Sequence, residues 1–420
     1  MLHFEVRSVG FKKLTIAAAG TALMAFGVSE TAQAASFNVD VLASDLNSPR
    51  GLTIGSDGAL YATEAGKGGS GSCIPSPSRP DVDLCYGATG RLLRIQNGVT
   101  EPIVTGLPSI ASPQDGTEAT GVHDIAFDGT GQAYVLVGLG SNPANRDQLP
   151  TSDFAQLLAI NDLNGEPSWT AIADLAAYEA VNNPDDGDPA TGGIDTNPYS
   201  LLIEDSTAYV VDAGANALLS VGLDDEEIAT ESVFSDRFVT NPFSGAMIPM
   251  ESVPTSIAVG PDDAFYMGEL TGFPYPEGGA RVFRLNSENQ PEVYAEGFTN
   301  IIDLDFDQEG NLFVLEYAAN SILSGDPTGA LIQVAPDGTR TTILDQELRF
   351  PTALAVGSDN SIYVSNNGFV GGQGEILRVD LTDETSVPES TSIVGLLAIG
   401  AFGVVTQLRR KQKSATVINK

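Results

Sequence analysis

Six copies of one strand pattern predict an all-β chain, folded as a six-bladed β-propeller closed by its own N-terminal strand. An aromatic strand recurs at Tyr61, Tyr134, Tyr209, Tyr266, Phe313 and Tyr363. The intervals are 73, 75, 57, 47 and 50 residues, the scale of a ring of small sheets. Only five of the six units are followed by an outer strand, and a candidate for the sixth stands at the opposite end of the chain.

Each unit opens on an extended segment. These are Pro49 to Ile54, Val122 to Phe127, Pro198 to Ile203, Pro254 to Val259, Ile301 to Phe306 and Pro351 to Val356. Apolar pairs such as Leu52/Ile54 and Leu304/Phe306 alternate with the period of two that a strand requires. Turn residues follow, as in Gly55-Ser56-Asp57-Gly58, and lead into the aromatic strand. The third strand repeats as Leu92 to Ile95, Leu157 to Ile160, Leu218 to Val221, Val282 to Leu285, Leu331 to Val334 and Ile376 to Val379. Outer strands read Pro102 to Leu107, Ser168 to Ile172, Glu231 to Phe234, Glu292 to Phe298 and Arg340 to Leu344. The sixth unit stops at Leu381, and Phe37 to Leu42 supplies the missing strand. That closure hides a sheet edge that would otherwise invite pairing with other chains. A sandwich of hairpins is the competing fold, but it gives no reason for two columns to keep six-fold register.

Three regions are expected. Residues 1–34 have the layout of a secretory leader: Lys12 and Lys13, an apolar stretch from Leu14 to Val28, and the small-residue site Ala32-Gln33-Ala34. An uncleaved anchor is the alternative. Residues 35–384 form the propeller. Residues 385–420 carry Val387-Pro388-Glu389-Ser390, the apolar run Ile393 to Val405, and the basic group Arg409, Arg410, Lys411 and Lys413. The run is short for a bilayer span of about 17 to 25 residues and nears that length when extended to Leu408. The basic group would remain cytoplasmic, with the propeller outside.

Charge divides along the same lines. Eight of the 20 Lys and Arg, but only three of the 55 acids, lie in the two terminal segments. The body keeps 12 basic residues against 52 acidic ones, a net of −40, and Lys67 is its single lysine. Such a surface repels nucleic acid and anionic lipid. It suits cations, cationic partners or simple solubility in an exported protein. Cys73 and Cys85, the two cysteines of the chain, flank a Pro/Ser-rich loop and are expected to form a disulfide; a metal or redox pair is the competing reading.

A propeller gathers equivalent positions of its blades about one axis, and ligands bind at a mouth of the central channel. Two sets of positions are therefore candidates. One lies three residues after each aromatic: Glu64, Val137, Asp212, Glu269, Glu316 and Asn366. Five of these offer oxygen ligands, and converging carboxylates would suit a hard cation such as calcium. The alternative is that each points from a turn into water. The other set stands at the starts of the first strands: Arg50, His123, Asp124, Asn197, Tyr199, Thr255, Asp303 and Thr352. Their chemistry changes from blade to blade, as a site requires and a repeated scaffold does not. His123 is the sole histidine after the leader, and beside Asp124 it is a candidate general base or metal ligand, with a structural role as the alternative. The acidic loop Asn182 to Asp188 does not match an EF-hand and reads as a solvated insertion. No nucleophile elbow, phosphate loop, zinc-ligand cluster or flavin fingerprint is present.

Several motifs carry a family resemblance. Ser48-Pro49-Arg50-Gly51-Leu52, Asp57 to Tyr61, Glu64-Ala65-Gly66, the loop from Gly68 through Cys85 to Gly90, Gly106 to Ser109 and Ala119 to Ile125 resemble the ScyD/ScyE proteins of cyanobacteria. The tail resembles a PEP-CTERM sorting signal, with Ser390 where that motif has a second proline. Together these resemblances imply export to the periplasm, outer surface or extracellular matrix, processing of the tail by an exosortase-type enzyme, and a role in extracytoplasmic maturation of a scytonemin-type aromatic pigment. If Ser390 defeats recognition, the tail stays as a membrane anchor, the chain's sole membrane contact. The broader likeness is to NHL-type propellers and the calcium-dependent gluconolactonase group.

Three functions follow as expectations: a monomeric exported propeller that binds or helps convert a small aromatic metabolite, a calcium-dependent lactonase or esterase, and a non-catalytic module for a matrix component.

Overall fold

The computed structural model describes residues 36–79, 81–185 and 193–382. The expected leader and sorting segment lie outside the described residues. Among the described residues no helix is long and apolar enough to cross a membrane.

Six antiparallel sheets form the ring. Their innermost strands are Pro49–Ile54, Val122–Phe127, Pro198–Glu204, Pro254–Val259, Ile301–Phe306 and Ala353–Val356. Each touches the next, and the last touches the first, so the ring closes. The second strands are Leu60–Glu64, Ala133–Val137, Thr207–Asp212, Phe265–Glu269, Leu312–Glu316 and Ile362–Asn366, so the aromatic column is the second in every blade.

Closure occurs in the sixth blade, where Ser36–Asn47 pairs antiparallel with Gly371–Thr382. The pairing runs from Ser36 opposite Thr382 to Asn47 opposite Gly371. It exceeds the predicted Phe37 to Leu42 because bulges after Val41 let the strand follow its partner to the channel mouth.

The recurring aromatics pack between blades. Tyr61 meets Phe127 of the second blade edge-on at 4.8 Å, Tyr209 meets Phe265 of the fourth at 4.6 Å, and Tyr266 meets Phe306 of the fifth at 4.9 Å. Each such pair adds about 0.5–1.5 kcal/mol beyond the area it buries. The apolar sides of neighbouring sheets thus form cores that run between blades, as in the group holding Leu136, Leu157, Leu201 and Val210.

Two additions interrupt the repeat. Leu175–Asn182 is a helix in the segment joining the second and third blades, started by Asp174, whose side chain accepts a 2.8 Å bond from the Ala177 N–H. Arg237–Thr240 and Met247–Met250 form a separate hairpin before the fourth blade. Within the first blade, Cys73 and Cys85 sit opposite one another on paired strands and are joined by a disulfide. The small loop so closed contributes on the order of 3 kcal/mol by restricting the unfolded chain.

Candidate binding site at one mouth of the channel

All six innermost strands begin at the same end of the ring. The channel is widest at its two ends and pinched between them. At the end where the strands finish, a 460 Å³ cavity is lined by all six strands. A neck of only about 10 Å³ follows, bounded by His123, Asp124, Tyr199, Thr255, Asp303 and Thr352. That is room for about one water molecule. Beyond the neck, where the strands start, lies a 330 Å³ cavity whose wall includes Arg50, His123, Asn197, Tyr199, Tyr317 and Phe369.

The second set of predicted residues therefore does converge. Arg50, His123, Asn197, Tyr199 and Thr352 line this mouth, while Asp124, Thr255 and Asp303 face the neck. Sequence reasoning missed Tyr317 and Phe369. Tyr317 follows the fifth blade's second strand directly after Glu316, and it stacks on Phe350 at 4.9 Å, which in turn meets Phe369 at 5.2 Å. Nothing in the repeat marks these positions, because they lie in loops that differ between blades. Pro77, Ser78 and Leu84 of the disulfide loop complete one wall.

His123 is buried and its Nδ1 lies 2.8 Å from the Pro198 carbonyl of the next blade. A carbonyl accepts, so Nδ1 carries the proton and Nε2 holds the lone pair. Burial, reinforced by the nearby Arg50 charge, pushes the imidazole pKa down to about 3, so His123 is neutral. Gly138 makes this placement possible: a Cβ there would stand 2.1 Å from His123 Cε1. The ring of His123 also lies 5.1 Å from that of Tyr199, whose hydroxyl is pushed up to about 12 by burial.

The expected pairing of His123 with Asp124 does not occur. Asp124 instead accepts from the Ile125 N–H at 2.8 Å and from the Leu201 N–H of the next blade at 2.7 Å. Asp303 does the same, bonding the Leu304 N–H at 2.9 Å and the Leu354 N–H of the sixth blade at 2.8 Å. Adjacent innermost strands are thus stitched through their aspartates. Burial raises both carboxyls, Asp124 to about 7 and Asp303 well above its usual range. Thr255 and Thr352 make the equivalent stitch through hydroxyls, donating to the Ile301 carbonyl at 2.9 Å and the Pro49 carbonyl at 2.7 Å.

The first set has a different fate. Glu64, Asp212, Glu269, Glu316 and Asn366 are all buried, so they are not turn groups exposed to water. Nor do they line any of the three spaces along the axis. Each gives at least one oxygen to the segment that leads into its own innermost strand. Glu64 accepts from the Asn47 N–H at 2.5 Å and pairs with Arg91. Asp212 accepts from Thr196 Oγ1 at 2.6 Å and from the Asn197 N–H at 2.7 Å. Glu269 accepts from Ser252 Oγ at 2.7 Å and from Arg281 and Arg237. Glu316 accepts from the Thr299 N–H at 2.7 Å, and Asn366 from the Arg349 N–H at 2.8 Å.

These five groups are clamps that hold the mouth residues in place. Their oxygens are committed to donors of separate blades, which does not fit a shared calcium ion. Among the described residues no group of three or more His, Cys, Asp or Glu is disposed to hold a metal.

No family model matches the chain. The Arabidopsis thaliana protein named STRICTOSIDINE SYNTHASE-LIKE 3 is 31% identical over 104 residues, 23% of this chain and 25% of that protein. The chain thus spans about a quarter of that relative's length in the match. Among solved structures, the soluble aldose sugar dehydrogenase of Escherichia coli in its apo form is 13% identical, with 83% of this chain and 100% of that one covered at a TM-score of 0.46. A Trichoderma reesei carbohydrate-active enzyme of family AA12 is 9% identical over 83% and 97%, with a TM-score of 0.46. A Xanthomonas campestris gluconolactonase is 8% identical over 84% and 99%, with a TM-score of 0.40. The chain is a six-bladed β-propeller.

Proposed function

We propose that this chain is an exported propeller that binds a small aromatic metabolite at the mouth where its innermost strands begin. The observation that carries the reading is the 330 Å³ cavity walled by Tyr199, Tyr317, Phe369 and the neutral His123, with apolar surface from Leu270 and Ile302. Aromatic walls favour a flat aromatic guest through edge and stacking contacts worth about 0.5–1.5 kcal/mol each beyond burial. The disulfide supports an oxidising compartment outside the cytoplasm. The resemblance to ScyD/ScyE proteins supports a place in extracytoplasmic pigment maturation, as a monomer whose tail an exosortase-type enzyme removes or which stays as an anchor.

Calorimetric titration of the exported protein with indole and with phenol tests this. Saturable binding is expected, weakened at least about tenfold in the Tyr199→Ala/Tyr317→Ala variant. It should be unchanged in Trp169→Phe, because Trp169 stands on the outer strand of the second blade and bonds Asp153 there. Absence of saturable binding, or equal binding by the double variant, overturns the reading.

A second reading, hydrolysis of a lactone or ester, is favoured by one observation. His123 is neutral, its Nδ1–H is committed to Pro198, and no described residue bonds Nε2. Nε2 is then a free acceptor that can orient a water molecule toward a bound carbonyl, and it takes that water's proton only as the anion forming beside it stabilises the imidazolium. Under this reading His123→Gln loses turnover while retaining indole binding; unchanged turnover excludes it.

A further inference from the structure

Arg50 sets a condition on the guest. Its guanidinium is tied to three carbonyls: Nη1 donates to Gly368 O at 2.6 Å and to Pro49 O at 3.1 Å, and Nη2 donates to Ala119 O at 2.9 Å. These acceptors come from the sixth blade's loop, the first blade and the segment entering the second blade. They are neutral, and they hold the group at the mouth without cancelling its charge. A guanidinium carries five N–H donors. The three bonds leave Nε–H and one Nη2–H without a partner among the described residues.

No carboxylate pairs with Arg50 among the described residues. The acidic groups that border the same channel are otherwise engaged. Glu118, on the cavity wall, pairs with Arg79 and accepts from Ser76 Oγ at 2.6 Å. Asp124 and Asp303 face the neck, each with both oxygens taken by backbone N–H groups, and burial favours their neutral forms. In a body with 52 acids against 12 bases, a cation held at the mouth of the channel by carbonyls alone contrasts with the eight arginines that pair with carboxylates among the described residues.

We infer that the guest of this cavity is an aromatic anion, a flat ring bearing a carboxylate, with the acidic group received by the free donors of Arg50 and the ring by Tyr199, Tyr317 and Phe369. This rests on the aromatic-binding reading above and adds the charge of the ligand to it. A hydrogen bond between ionised groups in a partly desolvated site is stronger than one between neutral groups, by about tenfold or more in affinity. It is screened little by salt where the pair is shielded from water. The acidic surface of the body repels anions only over a Debye length of about 8 Å.

The decisive experiment leaves the protein unaltered and varies the ligand. Indole-3-acetate, indole-3-acetamide and tryptamine share one ring and differ in charge. The expected order is acetate over acetamide by at least about tenfold, and acetamide over tryptamine. If acetamide or tryptamine equals or exceeds acetate, the inference falls and aromatic binding stands. If none of the three binds, aromatic binding itself falls. Arg50→Lys keeps the charge but not the fork, and is expected to keep a reduced preference for the acid. Arg50→Gln, folded as judged by its circular dichroism, is expected to bind acetate and acetamide alike; a retained acid preference in that variant overturns the assignment to Arg50.

Discussion

Two rings of residues stand at the same end of this propeller, one strand apart, and they have been used in opposite ways. The inner ring, at the starts of the first strands, differs from blade to blade: Arg50, His123, Tyr199, Thr255, Asp303 and Thr352. The outer ring, at the ends of the second strands, is nearly uniform in chemistry: Glu64, Asp212, Glu269, Glu316 and Asn366. Uniformity marks the scaffold. Each outer-ring side chain grips a backbone N–H or a hydroxyl just ahead of an innermost strand, as Asp212 grips the Asn197 N–H itself. The second blade lacks a polar clamp at Val137. There Gly138 bonds the Gly121 carbonyl at 2.9 Å, and the missing side chain leaves space for His123. The break in one ring thus makes room for the most distinctive member of the other.

The comparison is broken most sharply at Glu269. It is fully buried, with Arg281, Arg237 and Ser252 all directed at it. Glu269→Ala leaves two arginines facing an emptied site and is expected to cost about 3–5 kcal/mol in urea unfolding. A loss under about 1 kcal/mol would show that the outer ring is not a clamp.

A smaller effect is expected at the wall of the mouth. Replacing Cys73 and Cys85 by alanine frees the loop that presents Pro77, Ser78 and Leu84 to the cavity. Stability should fall by about 3 kcal/mol, with indole affinity reduced as that wall loosens. Unchanged affinity would mean that the disulfide loop is not part of the site.

Glu316 sharpens the comparison through pH. Unlike Glu64 and Glu269 it has no arginine bonded to it, and burial raises its carboxyl from 4.5 to about 7. Between those values the folded chain holds a proton that the unfolded chain has lost. The contribution to stability is therefore fully present below 4.5 and is lost as pH rises through about 7. Glu316→Gln, which stays neutral, should gain roughly 2–3 kcal/mol relative to the unmodified protein between pH 4.5 and pH 8. A difference that is flat with pH, measured by urea unfolding at both values, would remove the argument.

Much of this architecture was legible in the sequence because it repeats. Six aromatic strands, six opening segments and a displaced closing strand are visible as period-two patterns with turn residues between them. The inner ring was legible for the opposite reason: Arg50, His123, Tyr199 and Thr352 stand at one register position, Asn197 stands two residues ahead of Tyr199, and all of them break the repeat. The direction of the outer-ring side chains was not legible. A carboxylate three residues past an aromatic reads equally as a ligand, a solvated turn or a clamp, and only the donors at Asn47, Thr196, Ser252, Thr299 and Arg349 decide it. Tyr317 and Phe369 were hidden because loop residues obey no period. The helix Leu175–Asn182 was hidden because its apolar signal is short and sits inside an insertion.

The closing strand has a mechanical consequence. Ser36 lies opposite Thr382, so both ends of the described propeller leave from the same end of one antiparallel pair. Tension applied between the two ends would load that pair's hydrogen bonds one after another, as a zip opens, and would not share the load among them as shear does. A molecule held by one end alone, with the other free, never experiences that force. The ring is therefore weak to a pull across its termini and indifferent to a single tether.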